Sequence, residues 1–89
     1  MPYVTKDRRD HFKEALGMIE KNIENGCTPG DLNFVITKIC LFYLGSRGKN
    51  YTHINDIVGV LECAKNEFYR KIASIYEDGK EKENGDVYD

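Results

Sequence analysis

The sequence predicts an all-α fold, a three-helix domain with a long third helix that self-associates into a helical bundle. Three observations carry that expectation. Apolar residues recur at three- and four-residue intervals between Phe12 and Ile75. Gly26, Gly45 and Gly79 stand where these runs stop, as left-handed helix ends require. Thr28-Pro29-Gly30-Asp31 spells a helix start, with a hydroxyl at the cap, proline in the first turn and a carboxylate three residues on.

The first helix is expected from Thr5 or Asp7 to Asn25. Its stripe of Phe12, Ala15, Leu16, Ile19 and Ile23 is one-sided, which makes an amphipathic helix with one face to bury. The second is expected over Leu32–Leu44. Only Asn33, Thr37 and Lys38 interrupt its apolar residues, so it is apolar nearly all round and must be covered nearly all round. The third is expected from Thr52 or His53 to Asp78. Ile54, Ile57, Leu61, Ala64, Phe68, Ile72 and Ile75 alternate by three and four like a coiled-coil seam. At ~1.5 Å per residue it would span roughly 39 Å against roughly 24 Å for the second helix, leaving seam uncovered. Gly59 and Cys63, one turn apart, offer a second face for close approach. Both surpluses of apolar surface predict a homo-oligomer, a dimer or larger, with Leu61, Phe68 and Ile72 as interface residues.

Composition narrows the function classes. With 89 residues, 40% hydrophobic and 31% charged, the chain is one short domain too apolar for disorder. A net charge of −2 argues against general nucleic-acid binding. The absence of any apolar run near ~20 residues, and of a signal-peptide core after Met1-Pro2, predicts a cytoplasmic protein with no membrane span. Residues 1–76 hold eleven Lys/Arg against nine Asp/Glu, whereas 77–89 hold two against six. The boundary is therefore drawn as a helical domain over 1–78 and an acidic polar tail over 79–89. Cys27, Cys40 and Cys63 lack C-x-x-C spacing and have only His11 and His53 beside them, so reduced thiols and no zinc site are expected.

Two groups could hold a ligand. The connector 45–52 brings Arg47, Lys49, Thr52 and His53 to the start of the third helix, where free N–H groups and the helix dipole favour an anion. It is not a P-loop, because Asn50 follows Gly48-Lys49 and a helix precedes it. Lys65 falls within the apolar arc of the third helix with Tyr69 four residues on, and could meet a phosphate or a carboxylate. In one chain roughly 20 Å of helix axis separates Thr52 from these two, so a shared pocket requires a second chain running antiparallel. No cofactor and no metal is expected. An all-α magnesium-dependent nucleotide pyrophosphohydrolase is the alternative. It would need Glu-x-x-Glu or Glu-x-x-Asp pairs on facing helices, and the helices carry none.

The stretches Gly30-Asp31-Leu32-Asn33-Phe34-Val35-Ile36-Thr37, Gly59-Val60-Leu61-Glu62-Cys63-Ala64-Lys65, Glu67-Phe68-Tyr69-Arg70 and Glu83-Asn84-Gly85-Asp86-Val87-Tyr88 resemble a family of short, uncharacterised phage and bacterial helical proteins. That resemblance implies a phage-type accessory protein that sequesters a nucleotide-like ligand or inhibits a host protein, without catalysis.

Overall fold

The computed structural model describes residues 3–88; Met1 and Pro2 of the amino-terminal segment and Asp89 of the tail lie outside the described residues. All regular structure among the described residues is helical. The elements are α1 (Lys6–Asp10), α2 (Lys13–Glu24), α3 (Pro29–Arg47), α4 (Tyr51–Phe68), a π-helical turn (Tyr69–Ala73) and α5 (Ser74–Asn84). The backbone divides into two compact units, one up to Ile57 and one from Val58 onward.

The expected first helix is two. Thr5 caps α1 by accepting from the Arg8 N–H, and the His11 and Phe12 N–H groups then reach back only three residues, to Arg8 and Arg9. Phe12 adopts φ −104°, ψ 0°, outside the helical well. The Arg8 guanidinium lies 5.5 Å from its ring centroid and the His11 ring meets it edge-on at 4.8 Å. Helix α2 ends at Asn25, and Gly26 takes φ +125° as expected of the stop.

The start of α3 follows the sequence closely. Thr28 Oγ1 accepts from the Asp31 N–H at 3.1 Å, Asp31 Oδ2 accepts from the Thr28 N–H at 3.0 Å, and Pro29 opens the helix. Thr37, a polar interruption in this apolar helix, donates its hydroxyl to the Asn33 carbonyl and so satisfies itself internally.

The later boundaries correct the sequence expectation. Gly45 is helical, and α3 ends only before Gly48, which takes φ +100°. The connector shrinks to Gly48–Asn50, and α4 begins at Tyr51 because the Asn50 side chain accepts from the His53 N–H at 3.0 Å. Gly79 does not stop the final helix either. It lies inside α5, which runs on to Asn84 and ends at Gly85 with φ +84°. Residues 79–84, read as tail, are helical.

The seam is also interrupted. The Ser74 N–H bonds to the Tyr69 carbonyl, five residues back, so the turn holds one residue more than an α-turn. Each residue beyond it stands where its predecessor would in an unbroken helix. Tyr76 takes the line that Ile75 would hold, and the regular alternation ends at Ile72.

No described residue of either unit is buried. In the first unit, Ile19, Val35, Cys40, Leu44, His53 and Ile57 are half-covered, while Phe34 and Phe42 remain 61% and 70% exposed. In the second, Phe68, Ile72 and Ile75 all keep more than half of their surface. The encircling cover expected for the second helix is not supplied within the first unit.

Candidate functional site

The first unit holds an open apolar groove of about 620 Å³ between α2 and α3. Ala15, Leu16 and Ile19 line it from α2 and Phe12 from the residue before that helix, Ile39 and Phe42 from α3, with Val4 and Arg9 also in the lining. Arg9 is fixed there by its Nε donating to the Val4 carbonyl at 2.8 Å. The α2 residues are those that the sequence marked as a core stripe. In the structure the stripe has α3 on one side only and stays open. The signal that could have foretold this is a simple count, since one short amphipathic helix cannot cover an all-round apolar one.

The anion-binding candidates of the junction lie in the same unit. Arg47, in the last turn of α3, stacks its guanidinium over the Tyr43 ring at 5.6 Å, a placement that leaves its N–H donors free to meet an acceptor. Lys49 sits in the short connector, and neither cation forms an ion pair among the described residues. Thr52 is in the first turn of α4. His53 Nδ1 lies 2.8 Å from the Gly48 carbonyl oxygen. A carbonyl only accepts, so Nδ1 carries the proton, and Nε2 is left for a second partner. Asn50 occupies one of the N–H groups that the sequence reading had left free for a ligand.

Lys65 and Tyr69 lie in the second unit. Lys65 is 72% exposed on its side chain and reaches Glu62 at 3.7 Å, a contact of the weak, solvated kind. It lies on the surface of α4, and no packed arc encloses it. Tyr69 donates its O–H to Glu77 Oε2 at 2.9 Å. That hydrogen bond to the carboxylate, followed by the carboxylate's charge, raises the Tyr69 phenol above its ordinary pKa of 10.0. Glu77 was missed from sequence because a spacing of eight lies outside the usual helical pairings. The π-turn draws the two onto one side.

Leu61, Phe68 and Ile72, the expected interface residues, belong to the second unit and are exposed at 42%, 66% and 56%. A Cβ built at Gly59 would meet nothing within 4 Å, so no backbone of its own unit packs closely there. Cys27, Cys40 and Cys63 are free thiols. Among the described residues no group of three or more His, Cys, Asp or Glu side chains could hold a metal ion, and no helix is long and apolar enough to cross a membrane.

The carboxyl-terminal segment turns at Gly85 and lines a shallow recess with Glu77, Lys80 and Glu81 of α5. Tyr88 donates its N–H to Asp86 at 2.8 Å, while the Val87 and Tyr88 side chains remain exposed. A family model described as a domain of unknown function (DUF6899) matches residues 1–87, and the chain belongs to that family. No curated protein and no solved structure matches the chain.

Proposed function

We propose that the chain, as a member of that family, is a non-catalytic binding protein that assembles with copies of itself in the cytoplasm and sequesters an anionic, nucleotide-like ligand between subunits. The observation that carries the assembly is the absence of any buried residue among those described. Folding must offset a conformational-entropy cost of about 1–2 kcal/mol for each ordered backbone residue, and apolar burial is the main term available to do so. Neither unit has a buried core of its own, and self-association would supply the burial that each lacks.

The ligand reading rests on the junction of α3 and α4. Arg47 and Lys49 supply positive charge without an ion partner in the described chain, and Thr52 lies in the first turn of α4, where helix N–H groups and the dipole favour an anion. Lys65 and Tyr69 of another subunit would complete the pocket. The resemblance to short phage proteins suits sequestration of a nucleotide signal, as one way such proteins act on their host. Inhibition of a host protein is the competing reading.

The test is a nucleotide panel with Mg²⁺, read by thermal shift and by product analysis. A binder at about 100 times its Kd stabilises by about 2.7 kcal/mol, a shift of several degrees, with no product. Magnesium-dependent hydrolysis would replace sequestration with the pyrophosphohydrolase reading. Arg47→Ala/Lys49→Ala and Lys65→Ala/Tyr69→Phe should each abolish the shift while leaving the assembly mass unchanged. Full binding by both double variants would move the site elsewhere.

A further inference from the structure

The geometry points to a register latch in the carboxyl-terminal helix, formed by Tyr69 and Glu77. The closed latch holds the π-turn and keeps Tyr76 in line with Leu61 and Phe68. Opening it returns the turn to an α-helix and brings Ile75 into that line instead. Every group in the device lies in the second unit, and it stands apart from the ligand and assembly readings above.

The first observation is that the contact belongs to one register. Tyr69 donates its O–H to Glu77 Oε2 at 2.9 Å. In an unbroken α-helix, residues eight apart stand about 80° from one another around the axis. The surplus residue of the π-turn falls between them, so they stand as residues seven apart would, about 20° from one another. The hydrogen bond therefore stabilises the π register and is given up in the α register. The backbone makes the same choice at Ser74, whose N–H bonds to the Tyr69 carbonyl, where a regular helix would use that of Arg70.

The second observation is that the sequence pulls the other way. Leu61, Phe68 and Ile75 are spaced by sevens, and an unbroken helix would keep all three within about 40° of one another. The π register turns Ile75 about 100° off that line and puts Tyr76 in its place. Ile75 is 65% exposed there, so its own unit gives it no cover in exchange. An apolar line that favours one register and a polar contact that favours the other make a two-state element.

Other contacts of α5 do not choose between the two states. Lys80 lies over the Tyr76 ring at 5.7 Å and pairs with Glu83 at 3.2 Å. These groups are all beyond the turn and travel with α5 when it rotates. Tyr69 and Glu77 stand on either side of the surplus residue, so their pairing changes with the register. Whatever takes the Glu77 carboxylate from Tyr69 shifts the balance toward the α register, and the apolar line then ends on Ile75.

The experiment reads the backbone bond itself in the full chain, labelled with ¹⁵N and ¹³C. Scalar coupling across a hydrogen bond links the Ser74 amide nitrogen to the carbonyl carbon of its acceptor. The unaltered protein should couple Ser74 to Tyr69. Tyr69→Phe, which keeps the ring and removes the donor, should raise the share coupled to Arg70 relative to Tyr69 by about tenfold, the scale of one hydrogen bond to a charged group. Glu77→Ala should do the same, and the double variant should go no further than either single one, because both remove one contact. Lys80→Ala should leave Ser74 coupled to Tyr69.

A coupling that stays on Tyr69 in both latch variants would overturn the proposal. So would an equal shift in Lys80→Ala, or a double variant whose effect is the sum of the two. Ser74 coupled to neither carbonyl in the latch variants would mean that the contact holds the helix together and does not select its register, which also overturns it.

Discussion

At Tyr69 a phenol reaches a carboxylate eight residues on. In a regular helix those positions are about 12 Å apart along the axis and about 80° apart around it. The extra residue in the π-turn reduces the angular gap, so the hydrogen bond and the turn support one another. Only the protonated phenol can donate to Glu77, so the folded pKa lies above the unfolded value. The contact's contribution is therefore fully present below about pH 10 and is lost as pH rises through the raised folded value. Tyrosinate absorbance in the ultraviolet should reach completion at higher pH in the unaltered protein than in Glu77→Gln, because the carboxylate holds the Tyr69 phenol above its ordinary value. A Glu77→Gln profile identical to the unaltered one would remove Glu77 as the cause.

The Thr28 cap is the other residue whose effect can be stated. Thr28→Ala removes the acceptor of the Asp31 N–H and half of the capping box. It should cost about 1 kcal/mol in chemical denaturation, and a Thr28→Ser replacement should restore most of it. A Thr28→Ala midpoint equal to that of the unaltered protein would mean that α3 is held by its apolar contacts alone.

Among the elements, the π-turn decides what the long carboxyl-terminal helix presents. A one-residue surplus at Tyr69–Ala73 rotates everything from Ser74 onward by one position relative to the seam. Deleting Lys71 removes that surplus and lets α4 run into α5 as one α-helix, with their faces kept as they are in the structure. Far-ultraviolet circular dichroism of the deletion variant should be unchanged and its assembly mass retained. A loss of helicity would show that the turn is required and not merely accommodated. Helix α3 makes the complementary point. It is capped by an unusually complete start, yet Phe34 and Phe42 stay open, so its start is fixed locally while its apolar surface is not covered within the first unit.

For the whole molecule, stability and assembly should be one equilibrium. If apolar burial comes from other copies, then the melting temperature must rise with protein concentration, because dilution favours the chain that has no core. A hundredfold dilution should lower the midpoint by several degrees in a calorimetric or spectroscopic melt. A midpoint independent of concentration would show that one chain folds alone, and would remove the physical basis for assembly.

The sequence by itself determined the helical class, the start of α3 at Thr28, the stop at Gly26 and the apolar stripes of α2 and α4. These depend on spacing, capping chemistry and glycine, all of which act within one or two turns. Other boundaries were not legible in it. Gly45 and Gly79 read as stops, but a glycine ends a helix only where the chain adopts a positive φ, and the structure gives that conformation to Gly48 and Gly85 instead. The break at Phe12 and the π-turn are both backbone bonding patterns that no periodicity announces. The candidate site divides the same way. Arg47, Lys49, Thr52 and His53 were brought to one helix start by proximity in the chain, whereas the openness of the groove and the pairing of Tyr69 with Glu77 were decided only in three dimensions. Burial is the deepest instance, because apolar spacing says which face seeks cover, and only the packed helices show that neither unit covers its own.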